Sequence, residues 1–263
     1  GRIDITTAVM TLSGFRAAPR VGHLDRVKRV YGYLSKMKHA MIRFNTEQPD
    51  YSDLEEPQYD WKSSTSIYGD IHEEIPEDIP TPLGKEIILT HFVDANLYHD
   101  LLNGRAVTGI IHMFNKTPID WYSKKQSTVE TATYSSEFVA AKICTEQIID
   151  LRITLRYLGV PVKSKSYMFG DNKSVVDSSN IPHSKLLKRH VALAYHRVRE
   201  SIACGILGFF HTKGSNNPAD ILSKHWGFQQ IWKLMQPLLF YDFNTNDQQE
   251  TSQGEQVGSD NFL

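Results

Sequence analysis

The sequence predicts an α/β fold in which helices flank a five-stranded mixed sheet. Three β-rich runs, residues 86–96, 106–114 and 119–125, follow one another with short polar turns between them. This spacing indicates an antiparallel meander. Two further apolar runs, residues 166–169 and 205–211, alternate with helical patterns. The element order is therefore three strands, a helix, a strand, helices, a strand and a helix.

The helices are predicted from apolar residues that recur at steps of three, four or seven. A long helix over 133–158 carries Tyr134, Phe138, Ala141, Ile148, Leu151, Leu155 and Leu158 on this pattern, and Gly159 and Pro161 end it. A short helix ends near Ser179. Another spans about 184–203, with Leu187, Val191, Ala194, Val198 and Ile202 on its inner stripe. Asn217 as N-cap and Pro218 at the first helical position predict the start of the last helix.

Composition divides the chain into four segments. Residues 1–44 contain two helical patterns, the second with a basic face formed by Arg26, Lys28, Arg29, Lys36 and Lys38. Residues 45–85 are predicted to be an acidic, proline-rich linker, because residues 45 to 82 hold eleven Asp or Glu, five Pro and one Lys. Residues 86–241 form the predicted sheet domain. Residues 242–263, with five acids and neither Lys nor Arg, are predicted to be a disordered acidic tail.

The net charge of the chain is -1, but the linker and the tail contain many of the Asp and Glu residues. The rest of the chain is therefore basic. A basic surface suits a polyanion such as nucleic acid, and it is equally consistent with plain solvation. The sequence shows neither an apolar run of membrane-spanning length nor a secretory leader, so we expect an intracellular protein without a membrane partner. Cys144 and Cys204 stand in apolar patterns without ligand spacing, which predicts reduced thiols rather than zinc ligands or a disulfide.

Four carboxylates stand at the ends of predicted elements. Asp94 ends the first strand, Asp171 follows the run 166–169, Glu137 lies in the first turns of the long helix, and Asp220 lies in "NNPADILSK". Taken singly, each is explained as a turn-former, a cap or a first-turn acid. Together they would share one rim of the sheet, where like charges repel unless hard divalent cations lie among them. The set therefore predicts a magnesium pair suited to phosphodiester hydrolysis.

Five blocks, in order across about residues 86–226, resemble ribonuclease H as attached to the reverse transcriptase of copia-type retrotransposons. They are "FVDAN", "WYSKKQSTVETATYSSEFVAA", "FGDNKSVV", "HSKLLKRHVALAYHRVRE" and "NNPADILSK". The resemblance implies a ribonuclease H-like fold. It also implies that the catalytic residues, which bind two Mg²⁺ ions that Mn²⁺ can replace, are Asp94, Glu137, Asp171 and Asp220. His211, nine residues before Asp220, is a further catalytic candidate in the role of a helper.

The resemblance also implies residues that contact substrate. Those just before the glutamate, Thr133, Tyr134 and Ser135, would lie near the RNA 2′-hydroxyls, and Asn96 and Asn172 would lie beside the catalytic aspartates. Between residues 183 and 199 the cations Lys185, Lys188, Arg189, Arg197 and Arg199 occur without an acid. For these cations, and for Lys185, Lys188 and Arg189 in particular, phosphate contact and a solvated helix face are equally open.

The first segment, through "RIDITTAV", "LSGF" and "KRVYGYL", resembles the end of the same reverse transcriptase and implies a thumb remnant. The chain begins with Gly1 inside this segment, so we expect it to be a piece of a longer polyprotein. No Tyr-x-Asp-Asp motif occurs, and we expect no polymerase active site in this chain.

The expected function is magnesium-dependent endonucleolytic hydrolysis of the RNA strand of RNA/DNA hybrids during retrotransposon reverse transcription. Its partners would be the hybrid and the rest of the Pol polyprotein, in a cytoplasmic virus-like particle. The alternative is a catalytically silent ribonuclease H-like domain that binds nucleic acid or serves as a scaffold.

Overall fold

The computed structural model describes residues 2–57, 59–61, 68, 72–100, 103–163, 165–186 and 188–240. The chain forms two compact units, one of Gly1–Arg43 with His225–Leu263 and one of Phe44–Lys224. The larger unit differs from the predicted domain 86–241 at both ends, because it takes in the acidic segment and stops at Lys224. The predicted tail, 242–263, lies outside the described residues.

In chain order the helices are α1 (Thr6–Ser13), α2 (Val21–Lys36), α3 (Thr133–Tyr157), α4 (Lys173–Asn180), α5 (Ala192–Ala203), α6 (Asp220–Ser223) and α7 (Phe228–Met235). The strands are β1 (Met41–Ile42), β2 (Leu89–Asp100), β3 (Arg105–Phe114), β4 (Thr117–Lys125), β5 (Ser166–Gly170), β6 (Leu207–His211) and β7 (Leu239–Phe240). Single 3-10 turns cover Ile3–Ile5, Arg189–Val191 and Gly214–Asn216. In the described part of the chain, every helix is too short or too polar to cross a membrane.

The smaller unit contains both helices that the sequence predicts for residues 1–44. Its two short strands, β1 and β7, pair antiparallel, with Ile42 opposite Leu239. Ile3 and Met235 are each 1% exposed and form part of its buried interior.

The larger unit contains a five-stranded sheet with the strand order β4-β3-β2-β5-β6. Strands β2, β3 and β4 are antiparallel neighbours, whereas β5 runs parallel to β2 and β6 runs parallel to β5. The main core lies between this sheet and helices α3 and α5, and its buried members include Val93, Ile110, Phe138, Met168 and Val198. The predicted α/β class, with a five-stranded mixed sheet flanked by helices, is confirmed.

The opposite face of the sheet is covered by the acidic segment. Strand residues alternate between faces, so Tyr167 and Phe169 point away from the core that buries Met168. Tyr51 and Leu54 pack against this second apolar cluster. The described residues of the segment contain no helix or strand, yet part of the segment is packed on the domain.

The predicted helix over 184–203 is shorter than expected, since residues 184–186 and 188 are not helical and α5 begins at Ala192 after a 3-10 turn. Just before this stretch, the guanidinium of the buried Arg199 donates to the carbonyl oxygens of Ser178, Ile181 and Pro182 at 2.6–2.7 Å. The Tyr195 hydroxyl donates to the carbonyl of Ser184 at 2.6 Å. Of the predicted inner stripe, Val191, Ala194 and Val198 are buried, Ile202 is half-buried and Leu187 lies outside the described residues.

Candidate active site

Two neighbouring parallel strands deliver the first two carboxylates to one place. Phe92 of β2 lies opposite Phe169 of β5. Asp94 comes two residues after Phe92, and Asp171 comes two residues after Phe169. The carboxyl ends of adjacent parallel strands meet at the same edge, which is why the two side chains converge. Asp94 lies within β2 rather than at its end, because β2 continues along antiparallel β3, where Asp94 faces Gly109.

The third carboxylate comes from the start of α3, the long helix packed on β2. Glu137 accepts a hydrogen bond from the backbone N–H of Ala95 and is 7% exposed. Asp94, Glu137 and Asp171 each offer a carboxylate oxygen, and these three oxygens lie within 4.8 Å of one another. Asp94 is fully buried, and Asp171 is half-buried. The three side chains open onto a cleft of about 640 Å³.

The carboxylates strongly perturb one another. Burial, followed by the charges of Asp94 and Asp171, raises the pKa of Glu137 well above its usual range. Burial, followed by the charge of Asp94, also raises the pKa of Asp171. Repulsion between the carboxylates thus adds to the effect of burial in both shifts. A divalent cation relieves such repulsion, and an all-carboxylate set of oxygens is the donor chemistry that Mg²⁺ and Mn²⁺ prefer. The residues therefore fit the predicted magnesium site.

Asp220 stands beside this group of three and is linked to it through Lys224. The Lys224 ammonium lies 2.5 Å from Asp220 Oδ1 and 3.2 Å from Asp94 Oδ1. Burial, the charge of Asp94 and a hydrogen bond with Asp94 together outweigh the effect of Lys224 and raise the pKa of Asp220 to about 6. Burial lowers the pKa of Lys224, but the two carboxylates raise it more, so the net shift is upward and the ammonium stays charged.

Helix α6 holds Asp220 and Lys224 against the sheet through contacts on both sides of Asp94. The Ser223 hydroxyl donates to Asp94 Oδ2, and the Asn217 amide donates to the carbonyl of Val93 at 2.9 Å. Gly109 makes this approach possible, since a Cβ there would lie 2.6 Å from the carbonyl oxygen of Ala219.

Sequence reasoning missed Lys224 and Ser223. Lys224 stands four residues after Asp220, a spacing that places two side chains on the same helical face. This spacing was the available signal for Lys224. Ser223 stands three residues after Asp220, a spacing that also places two side chains on one helical face. Its hydrogen bond to Asp94 joins residues 129 positions apart, so no local sequence pattern indicates it.

The predicted substrate residues nearest the carboxylates do line the cleft. Thr133, Asn96 and Asn172 all contribute to its wall, together with Lys173. Asn172 also caps α4, because its side-chain oxygen accepts from the backbone N–H of Val175 at 3.3 Å. These residues give the cleft uncharged polar groups beside the carboxylates.

Two other predicted substrate residues, Tyr134 and Ser135, are engaged elsewhere. Tyr134 packs edge-on against Phe138, with ring centroids 5.0 Å apart. Ser135 is fully buried, and its hydroxyl lies 3.2 Å from Nε2 of His190. His211, the predicted helper, is exposed at the end of β6 and donates from Nε2 to the backbone carbonyl of Asp171 at 3.1 Å. It thus contacts the backbone of a cluster residue rather than its carboxylate.

The predicted phosphate-binding cations have unequal exposure. Lys185 and Arg189 are exposed and Lys188 is half-buried, and none of the three lines the cleft. Arg199 is 2% exposed and stacks on the rings of Trp61 and Tyr195 at 5.0 and 4.7 Å, so its guanidinium is part of the core. The expectation that Arg199 belongs to a solvated or phosphate-binding face was wrong. Both cysteines are free thiols, with Cys144 buried and Cys204 half-buried.

Comparison with known proteins finds curated relatives among plant transposons, whereas no protein-family model matches the chain. The retrovirus-related Pol polyprotein from transposon TNT 1-94 of Nicotiana tabacum is 30% identical over 141 residues, which are 54% of this chain and 10% of the relative. That from transposon RE1 of Arabidopsis thaliana is 24% identical over 225 residues, which are 85% of this chain and 13% of the relative. The chain therefore spans about a tenth of the length of the curated relatives that it matches.

Among solved structures, LC11-RNase H1 in complex with an RNA/DNA hybrid is 16% identical and has a TM-score of 0.42. The match covers 51% of this chain and 93% of that chain. The curated relatives confirm the predicted resemblance to a retrotransposon Pol polyprotein.

Proposed function

We propose that this chain hydrolyses the RNA strand of RNA/DNA hybrids with Mg²⁺, as part of a retrotransposon Pol polyprotein. The observation that carries the proposal is the convergence of Asp94, Glu137 and Asp171, whose oxygens lie within 4.8 Å of one another in an open cleft. A buried cluster of like charges costs folding free energy, so its presence at a cleft favours a functional role over a structural one.

The chain's own residues suit this chemistry. Asp94, Glu137, Asp171 and Asp220 would hold two Mg²⁺ or Mn²⁺ ions. When bound, such ions lower the pKa of the attacking water and neutralise the charge that develops on the leaving oxygen. Asp94 stands on a packed strand, Asp171 directly follows another, and Glu137 stands on a packed helix, which fixes ligand positions better than long loops do.

Recognition of the hybrid would come from the cleft wall and the basic residues outside it. The cleft wall that contains the carboxylates also offers the polar side chains of Thr133, Asn96 and Asn172. Such groups can form hydrogen bonds with sugar hydroxyls and phosphate oxygens. Lys185, Lys188 and Arg189 would contact the phosphate backbone, which sets the register of a duplex without reading its sequence.

We assign a smaller role in substrate binding to Tyr134 and Ser135, and a smaller role in catalysis to His211. Their side chains contact other groups than the carboxylates. We further propose that residues 1–44 are the remnant of a reverse transcriptase thumb, that the rest of the Pol polyprotein is the chain's partner, and that the chain works in a cytoplasmic virus-like particle. The plant relatives support the second of these points.

The test is a cleavage assay on an RNA/DNA hybrid labelled on either strand, with an RNA duplex and a DNA duplex of the same sequence as controls. We expect cleavage of the RNA strand of the hybrid in Mg²⁺ or Mn²⁺, no cleavage in chelator, and intact DNA strands. Binding of the hybrid without cleavage would instead support the silent domain, and cleavage of the DNA duplex would refute specificity for hybrids.

A further inference from the structure

Both oxygens of the most buried carboxylate, Asp94, are already engaged by α6 and the residue that follows it. Oδ2 accepts the hydroxyl of Ser223, and Oδ1 lies 3.2 Å from the ammonium of Lys224. Mg²⁺ requires a carboxylate oxygen at about 2.0–2.1 Å in near-octahedral geometry. An ion that takes Oδ1 of Asp94 therefore competes directly with Lys224.

Lys224 is placed to act as an internal cation. Its ammonium bridges Asp94 and Asp220, and its side chain is 28% exposed and lines the cleft. The ammonium can therefore move into the cleft when a metal ion binds the carboxylate of Asp94. In the described part of the chain, it is the one lysine or arginine with ion pairs to these two aspartates.

Neutralisation is needed because the carboxylates would otherwise repel one another in a largely buried setting. Two unit charges at a given separation interact about four times more strongly near a protein surface than in bulk water, so even a partly solvated ammonium changes the balance. A monovalent cation tethered to the chain offsets this repulsion, but it does so by occupying a metal ligand.

We propose that Lys224 is a positioning residue that holds Asp94 and Asp220 in place before metal binding and is displaced from Asp94 when a divalent cation binds. This inference rests on the proposed function, because it assumes that these aspartates are metal ligands. Its consequence is that Lys224 weakens the affinity of the free protein for Mg²⁺ while stabilising the metal-free fold.

The experiment measures Mg²⁺ binding alone by isothermal titration calorimetry, without nucleic acid. Lys224→Met should bind Mg²⁺ roughly tenfold more tightly than the wild type, the effect of removing a competing ion pair of moderate strength. Lys224→Arg, which keeps the charge, should stay near the wild type. Lys173→Met is the matched control, since Lys173 is an exposed lysine of the same cleft, and it should change the affinity far less. If Lys224→Met does not fold, Lys224→Gln keeps a hydrogen-bond donor and tests the same charge.

Melting temperature gives the second readout. Without metal, Lys224→Met should melt below the wild type, and saturating Mg²⁺ should raise its melting temperature more than that of the wild type. A merely structural lysine would lower the melting temperature without tightening Mg²⁺ binding.

Equal or weaker Mg²⁺ binding by Lys224→Met would overturn the inference. A wild type that still binds Mg²⁺ and cuts the hybrid would leave the proposed function intact. Failure of the proposed function would look different, as a wild type that binds no Mg²⁺ or leaves the hybrid uncut.

Discussion

Glu73 of the acidic segment should contribute as much to the stability of the larger unit as a well-buried apolar side chain. Its carboxylate accepts two hydrogen bonds from Arg152 at 2.8 and 2.7 Å and two from Arg156 at 2.7 and 2.9 Å. The Arg152 side chain is completely buried and also donates to the hydroxyl of Ser166 at 3.0 Å. Glu73→Gln removes the charge that compensates both guanidinium groups while keeping the size of the side chain.

The magnitude follows from the pKa of Glu73. Burial raises this pKa, but the hydrogen bonds and charges of Arg152 and Arg156 lower it more, to about 2 from the ordinary 4.5. At about 1.4 kcal/mol for each factor of ten in proton affinity, the difference is worth about 3 kcal/mol at neutral pH. Breaking a buried ion pair from one side costs about the same, 3–5 kcal/mol.

The sign of the pH dependence is fixed by the lowered pKa. The contribution of Glu73 is complete above pH 4.5 and is lost as the pH falls towards 2. The gap in unfolding free energy between the wild type and Glu73→Gln should therefore shrink from about 3 kcal/mol at pH 7 to about 2 kcal/mol at pH 3.5.

Urea unfolding followed by far-ultraviolet circular dichroism, at pH 7 and at pH 3.5, measures this gap. Glu74→Gln is the matched control, because Glu74 is the exposed neighbour and should change stability by less than about 0.5 kcal/mol. Equal midpoints for the two variants at pH 7, or a gap that does not narrow in acid, would refute the reasoning.

Two other predictions concern the packing around the site and the basic residues outside the cleft. Gly109→Ala places a Cβ 2.6 Å from the Ala219 carbonyl and 2.9 Å from the Ser223 nitrogen, so it should cost about 1–3 kcal/mol in a thermal melt and slow hybrid cleavage by displacing α6; a wild-type melt and rate would contradict it. Its control, Gly32→Ala in α2, meets nothing within 4 Å and should gain up to about 1 kcal/mol. Neutralising Lys185, Lys188 and Arg189 together should reduce the slope of log affinity against log salt by about two to three, at roughly 0.7–0.9 for each phosphate that the protein no longer neutralises. Fluorescence anisotropy of a labelled hybrid in Ca²⁺ measures this slope, and parallel lines for the wild type and the variant would rule these cations out as phosphate ligands.

Much of the sheet domain was predictable because its patterns are long and local. Helix α3 was expected over 133–158 and spans Thr133–Tyr157, and the five strands stand where the apolar runs predicted them. The prediction failed at residues 184–186 and 188, which are not helical, and there the Tyr195 hydroxyl binds the carbonyl of Ser184. Such a tertiary bond has no signature in the local pattern.

The site was predictable in its residues and less so in its contacts. Parallel pairing of β2 with β5 brings Asp94 and Asp171 together, as the order of elements implied. The ion pairs by which Lys224 joins Asp220 to Asp94 were not predicted. The direction of a side chain next to a short helix depends on how that helix packs. Glu73 could be read only as one acid among eleven, since its partners lie 79 and 83 residues away.

The most direct test of the account compares the wild type with Asp171→Asn in single-turnover cleavage of a labelled RNA/DNA hybrid in Mg²⁺. Asn keeps the shape of the side chain but loses the charge that would bind the ion, so cleavage should fall at least about 100-fold, because metal ions supply several kcal/mol of transition-state stabilisation. The circular dichroism spectrum and hybrid binding in Ca²⁺ should stay close to wild type. Asp177→Asn, at an exposed position of α4, is the matched control and should cut normally. A folded Asp171→Asn protein that cuts the RNA strand at the wild-type rate would contradict the account.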